Sequence, residues 1–225
     1  MNAIPPYLTP SELVYLNGEK FAQKAGVFNK TRLMHMDLNV SETPLAQAVL
    51  VAAFLTLEQQ GTLRLEPRQK KVLLGLATSK ALYADSVGPA AAWPQDTLEA
   101  ALPVWAYRLA MSKNKNEVET IVYAWLGQDS STPYEAVFDR IKCGLAARGL
   151  LDSRQETHLK IFKSTIYTLP DGTRQLAAAQ PVQPVQQLMD ACQRSRPEVW
   201  KMLNDSVKKG IALRQEKTDT DSSSN

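Results

Sequence analysis

Apolar residues recur at helical spacing between Leu45 and Leu57. Leu45, Val49, Ala52 and Ala53 share one face, and Phe54, Leu55 and Leu57 widen the arc until little of the circumference is polar. A helix apolar on most sides belongs in the middle of a bundle. Thr43-Pro44 marks its start, because proline in a first turn gives up no donor that the helix needs. Gln59-Gln60-Gly61 marks its end, since glycine readily takes the left-handed conformation after a last turn. The period then changes from 3.6 to 2. Thr62-Leu63-Arg64-Leu65-Glu66 alternates as a strand, Pro67 to Lys71 reads as a basic turn, and a partner strand is expected within residues 72–85.

The same order returns later. Ser130-Ser131-Thr132-Pro133 caps a helix over 134–149, Ala147-Arg148-Gly149 stops it, and a β-hairpin follows to about residue 170. Residues 45–66 and 134–163 thus both run helix, glycine stop, strand; the unit is common enough that chance is the favoured reading of the echo, with an ancient duplication as the alternative. Near the start, Thr9 can cap a short helix, with Pro10 in its first turn and Glu12 completing a capping box. Residues 24–43 read as a loop with some extended structure. Further helices are predicted over Asp96–Ser112, kinked or split at Pro103, then Glu117–Leu126, Val185–Gln193 and Pro197–Arg214. The Ala-, Gln- and Pro-rich stretch from Asp171 to Pro184 reads as a connection with little structure. The predicted fold class is mainly α: a single helical domain over residues 5–215 carrying surface β-hairpins, with residues 216–225 a polar, disordered tail.

Composition changes this picture little. At 44% hydrophobic and 22% charged, the 225 residues can build a core, and a net charge of +3 singles out no polyanionic partner. Cys143 and Cys192 are too few for a disulfide framework, and with His35 and His158 they form no zinc spacing. The longest apolar run, Ala48 to Leu55, falls far short of the roughly 20 residues that span a bilayer. The start has no basic region leading into an apolar stretch, so a secretory signal is not expected. These readings point to a cytoplasmic protein with at most a peripheral membrane association. No nucleophile elbow, metalloprotease, phosphate-loop or dinucleotide motif occurs, so no catalysis and no cofactor are expected.

Function must then rest on a binding surface. One reading takes the helix at 134–149 and its hairpin as a winged-helix regulator, with Arg140, Lys142, Arg148, Arg154, Lys160 and Lys163 facing nucleic acid. Glu135 and Asp139 stand near the N-terminal half of that helix, where base contacts usually fall. Their carboxylates oppose phosphate, which makes this the weaker reading.

The order of segments resembles the Golgi phosphoprotein 3-like family. The resemblance is carried by Leu8-Thr9-Pro10-Ser11-Glu12-Leu13, Leu57-Glu58-Gln59-Gln60-Gly61-Thr62-Leu63-Arg64-Leu65-Glu66, Lys80-Ala81-Leu82-Tyr83-Ala84-Asp85 and Asp96-Thr97-Leu98-Glu99-Ala100-Ala101-Leu102. It continues through Arg140-Ile141, Leu145-Ala146-Ala147-Arg148-Gly149-Leu150-Leu151 and Phe162-Lys163-Ser164-Thr165, covering roughly residues 8–170. It implies a mostly helical fold and a non-enzymatic adaptor that binds phosphatidylinositol 4-phosphate and the tails of Golgi enzymes. In that family a tryptophan before the second helix, with arginines on that helix and on the one before the hairpin, holds the headgroup. Here that loop has no tryptophan, the helix Leu45 to Glu58 has no basic residue, and Glu135 and Phe138 fall where ligand arginines would stand. The candidate anion contacts are therefore Lys30, Arg32 and Arg140, with Phe28 as an aromatic wedge. The expected partner is an anionic membrane surface or phosphoinositide headgroup. A protein partner, or a second copy paired through a hairpin edge, is the further expectation.

Overall fold

Helices with apolar faces bury them against one another, and in this computed structural model they do so around a single core. The structure describes residues 7–26, 29–72, 77–88, 93–113, 115–158 and 162–216. Helix α1 (Pro10–Leu16) opens with the expected capping box, in which the Thr9 amide donates to Glu12 Oε2 at 2.9 Å. After a 3₁₀ turn at Gly18–Lys20, strands β1 (Lys30–Arg32) and β2 (Asn39–Ser41) pair antiparallel. Helix α2 (Glu42–Gln59) follows, then the long hairpin β3 (Leu63–Val72) and β4 (Ala77–Ser86). Helices α3 (Leu98–Lys113), α4 (Val118–Leu126) and α5 (Pro133–Ala147) lead to a second hairpin, β5 (Asp152–His158) and β6 (Phe162–Thr168). Helices α6 (Asp171–Ala179), α7 (Gln183–Ser195) and α8 (Pro197–Ala212) complete the described chain. The result is a mainly helical domain carrying three two-stranded antiparallel sheets.

The nearly all-apolar helix occupies the centre, as its pattern requires. Twelve residues of α2 are buried, from Leu45 to Leu57, and the helix packs against α1, α3, α5, α7, α8 and β3. The core is continuous from Leu8 to Ile211, so the C-terminal helices belong to the same domain as the N-terminal ones.

Both helix-to-hairpin units close with the same capping geometry. Gly61 has φ of 71°; its amide donates to Glu58 O at 2.9 Å, and the Thr62 amide donates to Leu57 O at 2.9 Å. Gly149 has φ of 70°, with the matching bonds Gly149 to Ala146 O at 3.0 Å and Leu150 to Leu145 O at 2.8 Å. Each is a Schellman cap, which satisfies two terminal carbonyls and turns the chain sharply out of the helix. Only glycine enters that conformation without a Cβ penalty.

Three local expectations are corrected. Pro67 to Lys71 is not a turn: β3 runs straight through it, with Pro67 opposite Leu82. The Val87 amide bonds Thr62 O at 3.0 Å, so counting along the ladder puts Pro67 at a non-hydrogen-bonded pair, where its missing N–H would point outward. Helix α3 is not split at Pro103: it runs unbroken from Leu98 to Lys113, packed against α2, α4 and β4. The stretch after Asp171 is not unstructured but contains α6, with Thr173 and Ala177 buried. Phe28 and the tail from 217 onward lie outside the described residues.

Candidate anion-binding site

Strand alternation decides where the predicted cations point. Along β1 the burial pattern is exposed, intermediate, exposed, so Lys30 and Arg32 project to the same, solvent-facing side. Leu33 is buried immediately afterwards and anchors the turn to β2. Arg32 reaches Asp37 at 3.1 Å, and with side chains 71% and 88% exposed this pair contributes little to stability.

Arg32 lines an open cleft of about 520 Å³ together with His35, Asp37, Tyr167 and Arg174. Arg32 ends β1, the turn between β1 and β2 supplies His35 and Asp37, the end of β6 supplies Tyr167 and α6 supplies Arg174. Arg174 donates to His35 O at 3.3 Å and lies 3.8 Å from Asp171, whose side chain is 92% exposed. Nε2 of His35 lies 3.4 Å from Glu19, while its Nδ1 is buried without a hydrogen-bond partner. The Tyr167 hydroxyl meets Cys143 Sγ at 3.0 Å; burial first, and then this contact, raise the phenol's proton affinity above its ordinary value. Two guanidinium groups therefore border one cleft: Arg32 holds the exposed Asp37, while Arg174 lies near the exposed Asp171 and donates to the His35 carbonyl. Guanidinium forks suit phosphate oxygens, to which they donate parallel charge-assisted hydrogen bonds. Arg174 was not visible as a candidate, because the segment carrying it reads as structureless.

Arg140 is placed elsewhere. It lines a different cavity, of about 730 Å³, bordered by Trp105, Trp125, Asp129 and Asp139. Its guanidinium donates to Leu126 O at 2.6 Å and lies 5.7 Å from the Trp125 ring centroid. Leu126 is the last residue of α4, so Arg140 acts as a cationic cap on that helix end.

The position where the resemblance implies a headgroup is acidic. Phe138 is fully buried and stacks on Tyr15, with ring centroids 5.5 Å apart. Exposed Glu135 lies close to Glu42 at the start of α2; burial and then the Glu135 charge push the Glu42 carboxyl above its ordinary pKa. Of the other basic groups named for a nucleic-acid contact, Lys142 pairs with Asp139 at 2.8 Å, Arg148 with Glu12, and Arg154 with Glu156, while Lys160 and the Lys163 side chain lie outside the described residues.

Among the described residues no cluster of His, Cys, Asp or Glu could hold a metal ion, and no helix is long and apolar enough to cross a membrane. No family model matches the chain, and no curated protein or solved structure does so either.

Proposed function

We propose that this protein is a non-enzymatic, Golgi phosphoprotein 3-like adaptor that associates peripherally with anionic membranes and takes a phosphate-bearing headgroup. The observation that carries this reading is the cleft bordered by both Arg32 and Arg174, with His35 and Tyr167 beside them. Lys30 projects from the same strand face as Arg32 and adds local attraction. The resemblance itself rests on the order of the sequence segments from Leu8 to about residue 170. The acidic pair Glu42 and Glu135 argues for a headgroup position different from the family's.

Co-sedimentation with phosphatidylcholine vesicles, with and without phosphatidylinositol 4-phosphate, tests this. The phosphorylated lipid should enhance binding, and R32A/R174A should reduce that enhancement by at least about tenfold, because each charge-assisted bond contributes roughly 1.5–3 kcal/mol. An unchanged lipid preference in R32A/R174A removes the cleft from the reading. Sequence-selective DNA retardation at matched salt, without vesicle binding, replaces the reading with a nucleic-acid one.

A further inference from the structure

The outward face of α3 breaks the usual rule for a surface helix. Its inward side is conventional, with Leu98, Leu102 and Ala106 buried in the core. On its outward side a surface helix ordinarily carries polar residues. Here that side carries Val104, Tyr107 and Met111, which are 44%, 58% and 71% exposed. Their spacing, i, i+3 and i+7, lines them up as one stripe along the axis. Met111 has the highest exposure among the large hydrophobic residues at the surface of the described chain.

The charges beside this stripe have one sign. From Ala100 to Asn116 the sequence contains Arg108, Lys113 and Lys115 and no acidic residue. Arg108 and Lys115 are exposed, and the Arg108 guanidinium lies 5.7 Å from the half-buried Trp105 ring centroid. A protein surface recognised by this helix would need a matching apolar strip with acidic flanks. An anionic bilayer supplies both at once: acyl chains below and phosphates at the level of the cations. Tyrosine and tryptophan are suited to that boundary, each with an apolar body and one polar group. At 16 residues the helix is about 24 Å long, which fits lying along the surface rather than crossing it.

We infer that α3 is an interfacial membrane-binding helix that lays Val104, Tyr107 and Met111 into the headgroup boundary while Arg108 and Lys115 contact anionic lipid. This inference rests on the membrane reading above, but not on the Arg32 and Arg174 cleft.

The test uses the full chain in flotation with vesicles of phosphatidylcholine alone or mixed with phosphatidylserine. Wild-type protein should bind the mixed vesicles at 50 mM salt and weaken about tenfold at 300 mM. Y107S/M111S should lose at least about tenfold at either salt, and R108E/K115E should lose the preference for phosphatidylserine. Both variants change exposed side chains, and an unchanged melting temperature shows that the fold is kept. Wild-type binding retained in full by Y107S/M111S overturns the α3 assignment while leaving the membrane reading intact. No binding by wild type to mixed vesicles, or to vesicles carrying phosphatidylinositol 4-phosphate, overturns both. A wild-type dimer in gel filtration that Y107S/M111S converts to monomer assigns the stripe to a second copy and overturns the lipid assignment.

Discussion

Removing Arg148 should damage the fold, although the residue sits at the C-cap of α5, where a cation could pass for a solvent-facing one. Its guanidinium reaches across to Glu12 in α1 and also donates to Tyr7 O at 3.3 Å. The Glu12 side chain is 1% exposed and that of Arg148 16%. In R148A the Glu12 carboxylate keeps only the Thr9 amide as a hydrogen-bond donor. Breaking a buried pair from one side costs about 3–5 kcal/mol, and the partial exposure of Arg148 places this case near 3 kcal/mol. For a chain of this size, that lowers the melting temperature by roughly 6–12 °C. The cause can be isolated with E12Q, since glutamine still completes a capping box. The double variant R148A/E12Q should be more stable than R148A alone, because a neutral amide needs no counter-ion. Denaturant unfolding of all four proteins gives the coupling energy, expected at about 2 kcal/mol. Additive losses, or a loss in R148A below about 1 kcal/mol, would refute a buried pair that ties α5 to α1.

Two further outcomes follow from buried groups. Glu99 is fully buried in α3 and accepts hydrogen bonds from the Ser11 amide at 2.8 Å and the Ser11 hydroxyl at 3.0 Å; burial pushes its carboxyl up to about 7 from 4.5. The folded state therefore holds this proton more tightly than the unfolded chain, so wild-type stability should fall as pH rises from about 4.5 to 7. E99Q should lack that component, changing the difference between the two proteins by on the order of 3 kcal/mol across this window; parallel stability curves would contradict it. Phe138→Ala should cost about 3–5 kcal/mol by chemical denaturation, since the ring is fully buried against Tyr15. A loss within the range of surface substitutions would show that this side of α5 is not core.

The elements read correctly from sequence are those whose local chemistry and tertiary role agree. Thr9-Pro10 and Thr132-Pro133 fix helix starts, Gly61 and Gly149 fix helix ends, and the apolar surface of α2 demands a central place. The α2 start differs by two residues, with Ser41 as N-cap and Thr43-Pro44 inside the first turn. What misled the reading was chemistry with two meanings. Pro67 and its basic neighbours suit a turn, yet a two-stranded sheet accepts proline wherever no ladder donor is needed. Asp171-Gly172-Thr173 suits a loop, yet Pro170 as N-cap and an acidic first turn also start α6. The candidate site was half legible. Arg32 stands out as a cation beside an extended segment, but Arg174 comes near it only through the packing of α6, which no local pattern records. Arg140 looked like a free cation because sequence does not disclose that the α4 terminus lies within its reach.

The long β3–β4 ribbon bears on how the molecule avoids sticking to itself. The outer side of β4 is met at Ala84, whose amide donates to Asn116 O at 3.0 Å, and that of β3 at Leu65, whose amide donates to Glu58 Oε1 at 3.2 Å. The edge that in principle templates another chain is therefore β3 beyond Leu65. Along β3, Arg64, Glu66, Arg68 and Lys70 occupy every second position, and Arg64 and Arg68 both pair with Asp85 on the opposing strand. Pro67 interrupts the outward-facing donors midway. A copy approaching that edge would meet fixed charges and a gap in its hydrogen-bonding register, so the proline that looks misplaced in a strand guards the ribbon against fibrous self-association.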